Sequence, residues 1–144
     1  MQALLFSETE QKSVIEAIRV AEMATSGEIR VHIEQNCSES DVIERAKKVF
    51  AELGMHRTEL KNGVLFYLAV KDRKFAVLGD QGINERVPDD FWNHIRDLMR
   101  THFVKEEFAE GLCRGIEQAG QQLKTYFPRQ ENDTNELSDD ISFG

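Results

Sequence analysis

The chain has 144 residues, of which 40% are hydrophobic and 31% charged, and this indicates a single globular domain with room for one sizeable core. A net charge of −8 disfavours nucleic-acid binding, because phosphate backbones are bound by basic surfaces. No apolar run reaches 18 residues, no signal peptide is recognisable, and Cys37 and Cys113 have neither zinc nor redox spacing, so we expect a reduced, cytoplasmic protein without a membrane span.

The first third of the chain predicts a helix, a strand and a second helix. Ser7 begins an S-E-T-E segment of capping-box form, and apolar residues at helical spacing extend to about Ala24. Residues 28–34 alternate apolar with polar, which predicts a half-buried strand with His32 on its polar side. A second apolar stripe over residues 42–53 stops at Gly54.

The segment from Asn62 to Gly82 is the most apolar part of the chain. Seven of the eight residues after the Asn-Gly turn are apolar or aromatic, and a strand of this kind must be covered on both faces. The spacing predicts a hairpin of strands 64–70 and 75–78. Two helices follow, one after Pro88 and one over about residues 105–126, and the glycine turns of 79–82 separate them from the hairpin.

The pattern predicts a domain over residues 1–128 and an acidic tail over 129–144. The tail carries a net charge of −4, half of the whole excess, and has no regular apolar period. We expect it to be disordered or to lie on the surface, anchored weakly by Leu137, Ile141 and Phe143.

The order of the predicted elements fixes which loops meet. A right-handed crossover makes strands 1 and 2 parallel, and the hairpin makes strand 3 antiparallel to strand 2. One edge of the sheet, named here the Asp80 edge, therefore gathers residues 25–28, 58–63 and 79–82. The opposite edge gathers residues 35–37 and the Asp72-Arg73 turn.

These segments together resemble the TPM domain family. The resemblance rests on short motifs in a fixed order along nearly the whole chain: Ala21-Glu22, Thr25-Ser26-Gly27-Glu28-Ile29, Ala46 to Phe50, Leu53-Gly54, Thr58, Asn62-Gly63-Val64-Leu65, Asp72-Arg73, Gly79-Asp80-Gln81-Gly82, Gly111-Leu112 and Asn135-Glu136-Leu137. The last motif is similar to the tail of a soluble bacterial branch. Many members are exported or carry a C-terminal membrane helix, and neither device is expected here.

The resemblance implies a fold and two activities. The implied fold is a Rossmann-like three-layer α/β/α sandwich, whose mixed sheet contains a central β-hairpin. The implied activities are binding of a divalent cation, calcium in particular, and an acid phosphatase activity known from a plant branch of the family.

The sequence predicts a calcium or magnesium site at the Asp80 edge. Hard cations take several oxygen ligands, and Asp80, Glu28 and Asn62 should come together there, with Glu22 one turn before the end of the first helix. Ordinary turn chemistry is the alternative, because Asn-Gly and Gly-Asp side chains often bond their own backbone. The opposite edge, with Asn36, Ser38, Asp72 and Arg73, is a second alternative.

Three functions follow from these residues. The first is a cation-binding accessory module that works through a protein partner. The second is a weak phosphatase, which would have to be metal-dependent because no P-loop or Cys-x5-Arg signature is present. Arg57, Lys61 or Arg86 would face the phosphate. The third is an assembly or repair accessory without a ligand. The four histidines are not spaced as a ligand set, so structural or surface roles are expected for them.

Overall fold

The structure is a computed structural model that describes residues 6–129 and 137–144. Its elements, numbered in chain order, are α1 (Glu8–Ala24), β1 (Glu28–Glu34), α2 (Val42–Glu52), a 3₁₀ helix (Met55–Arg57), β2 (Gly63–Ala69), β3 (Lys74–Gly79), α3 (Gln81–Arg86), α4 (Asn93–Phe103), α5 (Phe108–Leu123) and β4 (Ser142–Phe143). No helix in the described ranges has the length and apolar character needed to cross a bilayer.

The described strands form one mixed sheet in the order β3-β2-β1-β4. β1 is parallel to both β2 and β4, whereas β2 and β3 form the predicted antiparallel hairpin. Because β3 is an outer strand, the hairpin occupies one side of the sheet and is not at its centre. Helices on both faces complete the predicted three-layer α/β/α sandwich.

Both faces of β2 are buried, as its composition predicts. Val64, Phe66 and Leu68 belong to the larger core, which α1, α4 and α5 cover. The intervening residues Leu65, Tyr67 and Ala69 belong to a smaller core beneath α2. The alternation of side chains along a strand sends successive residues into the two cores.

Local signals set several element ends. The Ser7 hydroxyl accepts the Glu10 N–H while the Glu10 carboxylate accepts the Ser7 N–H, so the predicted capping box is present. Gly54 has φ of +67°, a left-handed conformation that glycine adopts without strain, and it ends the α2 segment and leads into the 3₁₀ helix. His56 lies in that 3₁₀ helix.

Part of the tail packs on the domain. Leu137 is buried in the smaller core, and β4 pairs with the second half of β1 through His32 and Ile33. The tail acids Glu131, Asp133 and Glu136, and most of the Asn135-Glu136-Leu137 motif, lie outside the described residues. The tail was predicted to lie on the surface with a few apolar residues as anchors, and residues 137–144 are arranged in this way.

Candidate functional site

The strand register brings the predicted segments of the Asp80 edge together. Glu28 is paired with Gly63 across β1 and β2, and the Glu28 N–H donates to the Asn62 carbonyl at 3.1 Å. On the other side, the Asp80 N–H donates to the Gly63 carbonyl at 2.9 Å. With neighbouring strands about 4.8 Å apart, the backbones of Glu28 and Asp80 lie about 10 Å apart, on either side of Gly63.

Asp80 and Asn62 each hold one buried oxygen without a hydrogen-bond partner. Asp80 is the N-cap of α3, where its Oδ1 accepts the Gln81 N–H at 2.7 Å, but its Oδ2 accepts nothing. The Asn62 Nδ2 donates to the Ser26 carbonyl at 3.0 Å, while Oδ1 is unpartnered. The two residues are only 6% and 2% exposed. A buried acceptor without a partner costs about 1–3 kcal/mol.

Glu28 and Glu22 face the tail. The Leu137 N–H donates to Glu28 Oε1 at 3.2 Å, and Glu22 Oε2 accepts the Ile29 N–H at 2.9 Å. Burial, and then a hydrogen bond with the Asp139 side chain, raises the pKa of Glu22 to about 9. A raised pKa favours the neutral form of the Glu22 carboxyl.

The four predicted residues thus lie at one edge but form two halves. Gly63 lies between the halves, and a Cβ there would stand 3.2 Å from the Met55 carbonyl oxygen and 3.7 Å from Leu137 Cδ1. Asn62 and Asp80 have unpartnered oxygens, whereas Glu22 and Glu28 bond the tail and β1.

A groove of about 560 Å³ opens beside Asp80, between α2 and α3. His56 stands in its wall with Nδ1 at 3.4 Å from Asp80 Oδ1, and its ring packs edge-on against Phe50 with centroids 4.6 Å apart. The groove is lined by Lys47, Phe50, His56, Leu78, Gly79, Asp80, Gln81, Asn84 and Glu85. The sequence predicts a structural or surface role for His56. Its position in the loop that leads to Asn62 is the sequence feature that places it near this edge.

The cations predicted to face a phosphate do not line this groove. Lys61 Nζ donates to the His56 carbonyl, and the Arg86 guanidinium lies 4.7 Å from the centroid of the Phe127 ring. Arg57 is also absent from the lining, where Lys47 supplies the positive charge.

The opposite edge is a solvated turn. Asp72 Oδ2 accepts the Cys37 N–H at 2.7 Å, and the exposed Arg73 forms an ion pair with Glu106. In residues 6–129 and 137–144, no group of three or more His, Cys, Asp or Glu side chains is arranged to hold a metal ion.

A second buried polar cluster lies at the far end of β1, where the sequence predicted a solvent-facing side. Glu34 is 4% exposed and accepts two hydrogen bonds from the Arg45 guanidinium, at 2.9 and 2.8 Å, and one from the Tyr67 hydroxyl. His32 is 5% exposed and lies between Glu34 Oε1, at 3.1 Å, and Ser142 Oγ, at 2.9 Å. The half-buried description of β1 is thus wrong for this end, because α2 and β4 cover its polar side.

The charges of this cluster follow from its contacts. Burial alone would raise the pKa of Glu34, but hydrogen bonds from Arg45, Tyr67 and His32 hold it at about 2. Burial lowers the pKa of His32. An ionised Glu34 beside a neutral His32 and a charged Arg45 satisfies the polar groups, so this cluster has the character of a structural network.

The fold and the polar Asp80 edge define a three-layer α/β/α domain built on a mixed sheet. The sequence model of the TPM domain matches residues 1–122, and the chain belongs to the TPM domain family. No curated protein matches the chain.

Solved structures of similar proteins agree with this membership. The chain is 46% identical to the BA42 protein of the psychrophilic bacterium Bizionia argentinensis, with a TM-score of 0.93 over 100% of this chain and 99% of that one. The N-terminal domain of a P. gingivalis protein is 21% identical, with a TM-score of 0.71 over 89% of this chain and 83% of that one. The N-terminal domain of the cg2496 protein of Corynebacterium glutamicum is 13% identical, with a TM-score of 0.66 and coverages of 93% and 78%. The last two likenesses show the fold alone.

Proposed function

We propose that this TPM domain binds a divalent cation, calcium or magnesium, at the Asp80 edge and works as an accessory module for a protein partner. The observation that carries the proposal is the pair of buried, unpartnered oxygens, Asp80 Oδ2 and Asn62 Oδ1. Both atoms are acceptors only, so a donor or a cation must satisfy them.

A cation suits these atoms better than a neutral donor. Hard cations bind carboxylate and amide carbonyl oxygens together. The second oxygen of Asp80 is already occupied by the Gln81 N–H, which fixes the carboxylate plane. Glu28 and Glu22 lie across Gly63, where they accept the Leu137 and Ile29 N–H groups.

Binding is favoured over phosphate-ester hydrolysis. Phosphoryl transfer needs positive charge around the transferred group. Lys61 donates to the backbone carbonyl of His56, and Arg86 packs against the aromatic ring of Phe127. Lys47 is the cation in the lining of the groove. We therefore propose a binding role. Turnover of a phosphate ester by the protein would support the phosphatase instead.

The test is a titration of the ¹⁵N-labelled chain with CaCl₂ and MgCl₂, followed by backbone NMR, on wild type and Asp80→Asn. Asparagine caps a helix as well as aspartate does, so the variant keeps α3 but loses the charge. We expect saturable shifts at residues 62–63 and 79–82, and at least about a tenfold weaker affinity in Asp80→Asn. Asp97→Asn, at an exposed position on α4, is the matched control and should bind as wild type does.

Two results would contradict the proposal. One is the absence of saturable shifts at the Asp80 edge with either ion. The other is an equal affinity of wild type and Asp80→Asn, which would place the bound ion elsewhere. Phosphate-ester turnover that Asp80→Asn abolishes would instead support the phosphatase.

A further inference from the structure

The groove beside Asp80 combines apolar surface with one unsatisfied carboxylate oxygen. Phe50 of α2 and Leu78 of β3 line it and also pack in the smaller core, so the fold fixes their positions. Asp80 is only 6% exposed, and its Oδ2 is the one buried side-chain oxygen of the lining that has no hydrogen-bond partner among the described residues.

The amide side chains of the groove already bond within the chain. Asn84 Nδ2 donates to the Gly79 carbonyl at 3.1 Å, and Gln81 Nε2 donates to Glu85 Oε1 at 3.0 Å. Neither amide donates to Asp80 Oδ2. A donor brought by a bound molecule would therefore find this oxygen free.

The charges of the groove favour a cationic occupant. Asp80 and Glu85 bring two carboxylates, whereas the Lys47 ammonium lies 3.6 Å from Glu44 Oε1, which offsets its charge. His56 Nδ1 lies 3.4 Å from Asp80 Oδ1 and leaves Oδ2 without a partner. The net charge of −8 on the chain also attracts a basic partner.

We propose that this groove binds a lysine side chain of the protein partner, with the ammonium on Asp80 Oδ2 and the aliphatic stem along Phe50 and Leu78. The proposal rests on the proposed function, in which the domain serves a protein partner, and it names the chemistry by which that partner is recognised. A divalent ion at the Asp80 edge takes the same oxygen. The ion and the lysine therefore bind in alternation, and the ion regulates the partner through negative coupling.

A single free oxygen suits lysine better than arginine. The Gln81 N–H occupies Asp80 Oδ1 at 2.7 Å, so the carboxylate does not offer both oxygens to the planar fork of a guanidinium. An ammonium needs one acceptor, and its four-carbon stem packs on apolar surface. The groove volume of about 560 Å³ lies within the range of about 300–1,000 Å³ that is usual for binding pockets.

The experiment is a titration of the full ¹⁵N-labelled chain with the peptide acetyl-Ala-Lys-Ala-amide, followed by backbone NMR. We expect saturable shifts at residues 47–50 and 78–85. The same peptide acetylated at the lysine Nε keeps the stem without the charge, and it should bind at least about tenfold more weakly because a charge-assisted hydrogen bond is lost. The corresponding arginine peptide should also bind more weakly than the lysine peptide.

Three variants and one addition locate the contact. Asp80→Asn keeps the helix cap and should bind the lysine peptide at least about tenfold more weakly. Lys47→Gln removes a positive charge from the groove and should bind it as tightly as wild type or more tightly. Asp97→Asn, at an exposed position of α4, is the matched control and should bind as wild type does. Saturating CaCl₂ should weaken the binding of the peptide to wild type by about tenfold or more.

Several results would overturn the inference. Equal binding of the lysine peptide and its acetylated form, or equal binding by wild type and Asp80→Asn, would show that the ammonium does not meet Asp80. Weaker binding by Lys47→Gln would show that the groove takes an anion. Tighter binding of the arginine peptide would contradict the choice of lysine, and a peptide affinity unchanged by CaCl₂ would contradict the alternation.

The outcomes also separate this inference from the proposed function. If Ca²⁺ or Mg²⁺ shifts residues 62–63 and 79–82 while the lysine peptide gives no saturable shifts, the inference fails and the cation site stands. If the peptide binds at Asp80 and neither ion does, the lysine pocket stands and the cation site fails. If neither the peptide nor an ion binds, both fail.

Discussion

Replacement of Glu34 by glutamine tests how much the buried cluster stabilises the fold. Glutamine keeps the size of the side chain but removes the charge that faces Arg45, whose own side chain is only 17% exposed. The guanidinium would remain buried against a neutral amide. Removal of one partner from a buried pair is costly because the other charge is left uncompensated.

The size of the effect follows from the pKa of Glu34. Its fall from 4.5 to about 2 is worth about 3 kcal/mol at 1.36 kcal/mol per unit. We expect Glu34→Gln to lose about 2–3 kcal/mol at pH 7, since the amide keeps part of the hydrogen bonding. A lowered pKa gives stability that is present above pH 4.5 and is lost as the pH falls toward 2. The difference between wild type and Glu34→Gln should therefore shrink over that range.

Urea unfolding at pH 7 and at pH 3 measures both expectations. Glu52→Gln is the matched control, because Glu52 pairs with the same Arg45 at 3.8 Å but its side chain is 64% exposed. An exposed pair of this kind is worth about 1 kcal/mol or less. A loss in Glu34→Gln no larger than in Glu52→Gln, or a loss that is undiminished at pH 3, would refute the reasoning.

Two further predictions concern packing and reactivity. Gly82→Ala would place a Cβ 2.2 Å from the backbone carbonyl oxygen of Leu60, so we expect a loss above about 2 kcal/mol in thermal unfolding. Gly27→Ala, with its nearest contact at 3.5 Å, should lose less than half as much, and equal losses would contradict the steric argument. Burial raises the pKa of Cys113 to about 11, so that about 0.1% is thiolate at pH 8. Iodoacetamide should label the half-buried Cys37 first by mass spectrometry, and the reverse order would show that Cys113 is accessible.

Features that depend on local pattern could be predicted from the sequence. The capping box at Ser7 and Glu10 needs only residues three apart, and it is present. The burial of both faces of β2 follows from its unbroken apolar run. The meeting of residues 28, 62 and 80 follows from strand order and the direction of the crossover.

Features that depend on distant partners could not be predicted in the same way. His32 and Glu34 are buried because α2 and β4 cover them, and they bond Ser142 and Arg45, of which Ser142 lies 110 residues away from His32. The helix α3 was interpreted as part of a turn, since its six residues are too few to show an apolar stripe. In the structure Asp80 is the N-cap of this helix, and its Oδ1 accepts the Gln81 N–H.

The candidate site likewise combines features that could be predicted from the sequence with features that could not. Its location could be predicted because loops that share a sheet edge must meet. The unpartnered state of Asn62 Oδ1 and Asp80 Oδ2 could not, because it depends on which donors each side chain finds in the folded chain. The contact of His56 with Asp80 depends likewise on the left-handed turn at Gly54.

The shortness of β4 has a consequence for how molecules of this protein meet. Two residues of β4 pair with β1, a strand of seven residues, and the Gly144 N–H also donates to the Ile33 carbonyl at 3.0 Å, so a short segment covers the second half of β1. Detachment presents unpaired N–H and C=O groups on an interior strand, which is the template on which strands of other molecules add. This edge of β1 is therefore covered by a contact of two residues, and the hydrogen bond between Ser142 and His32 supports that contact.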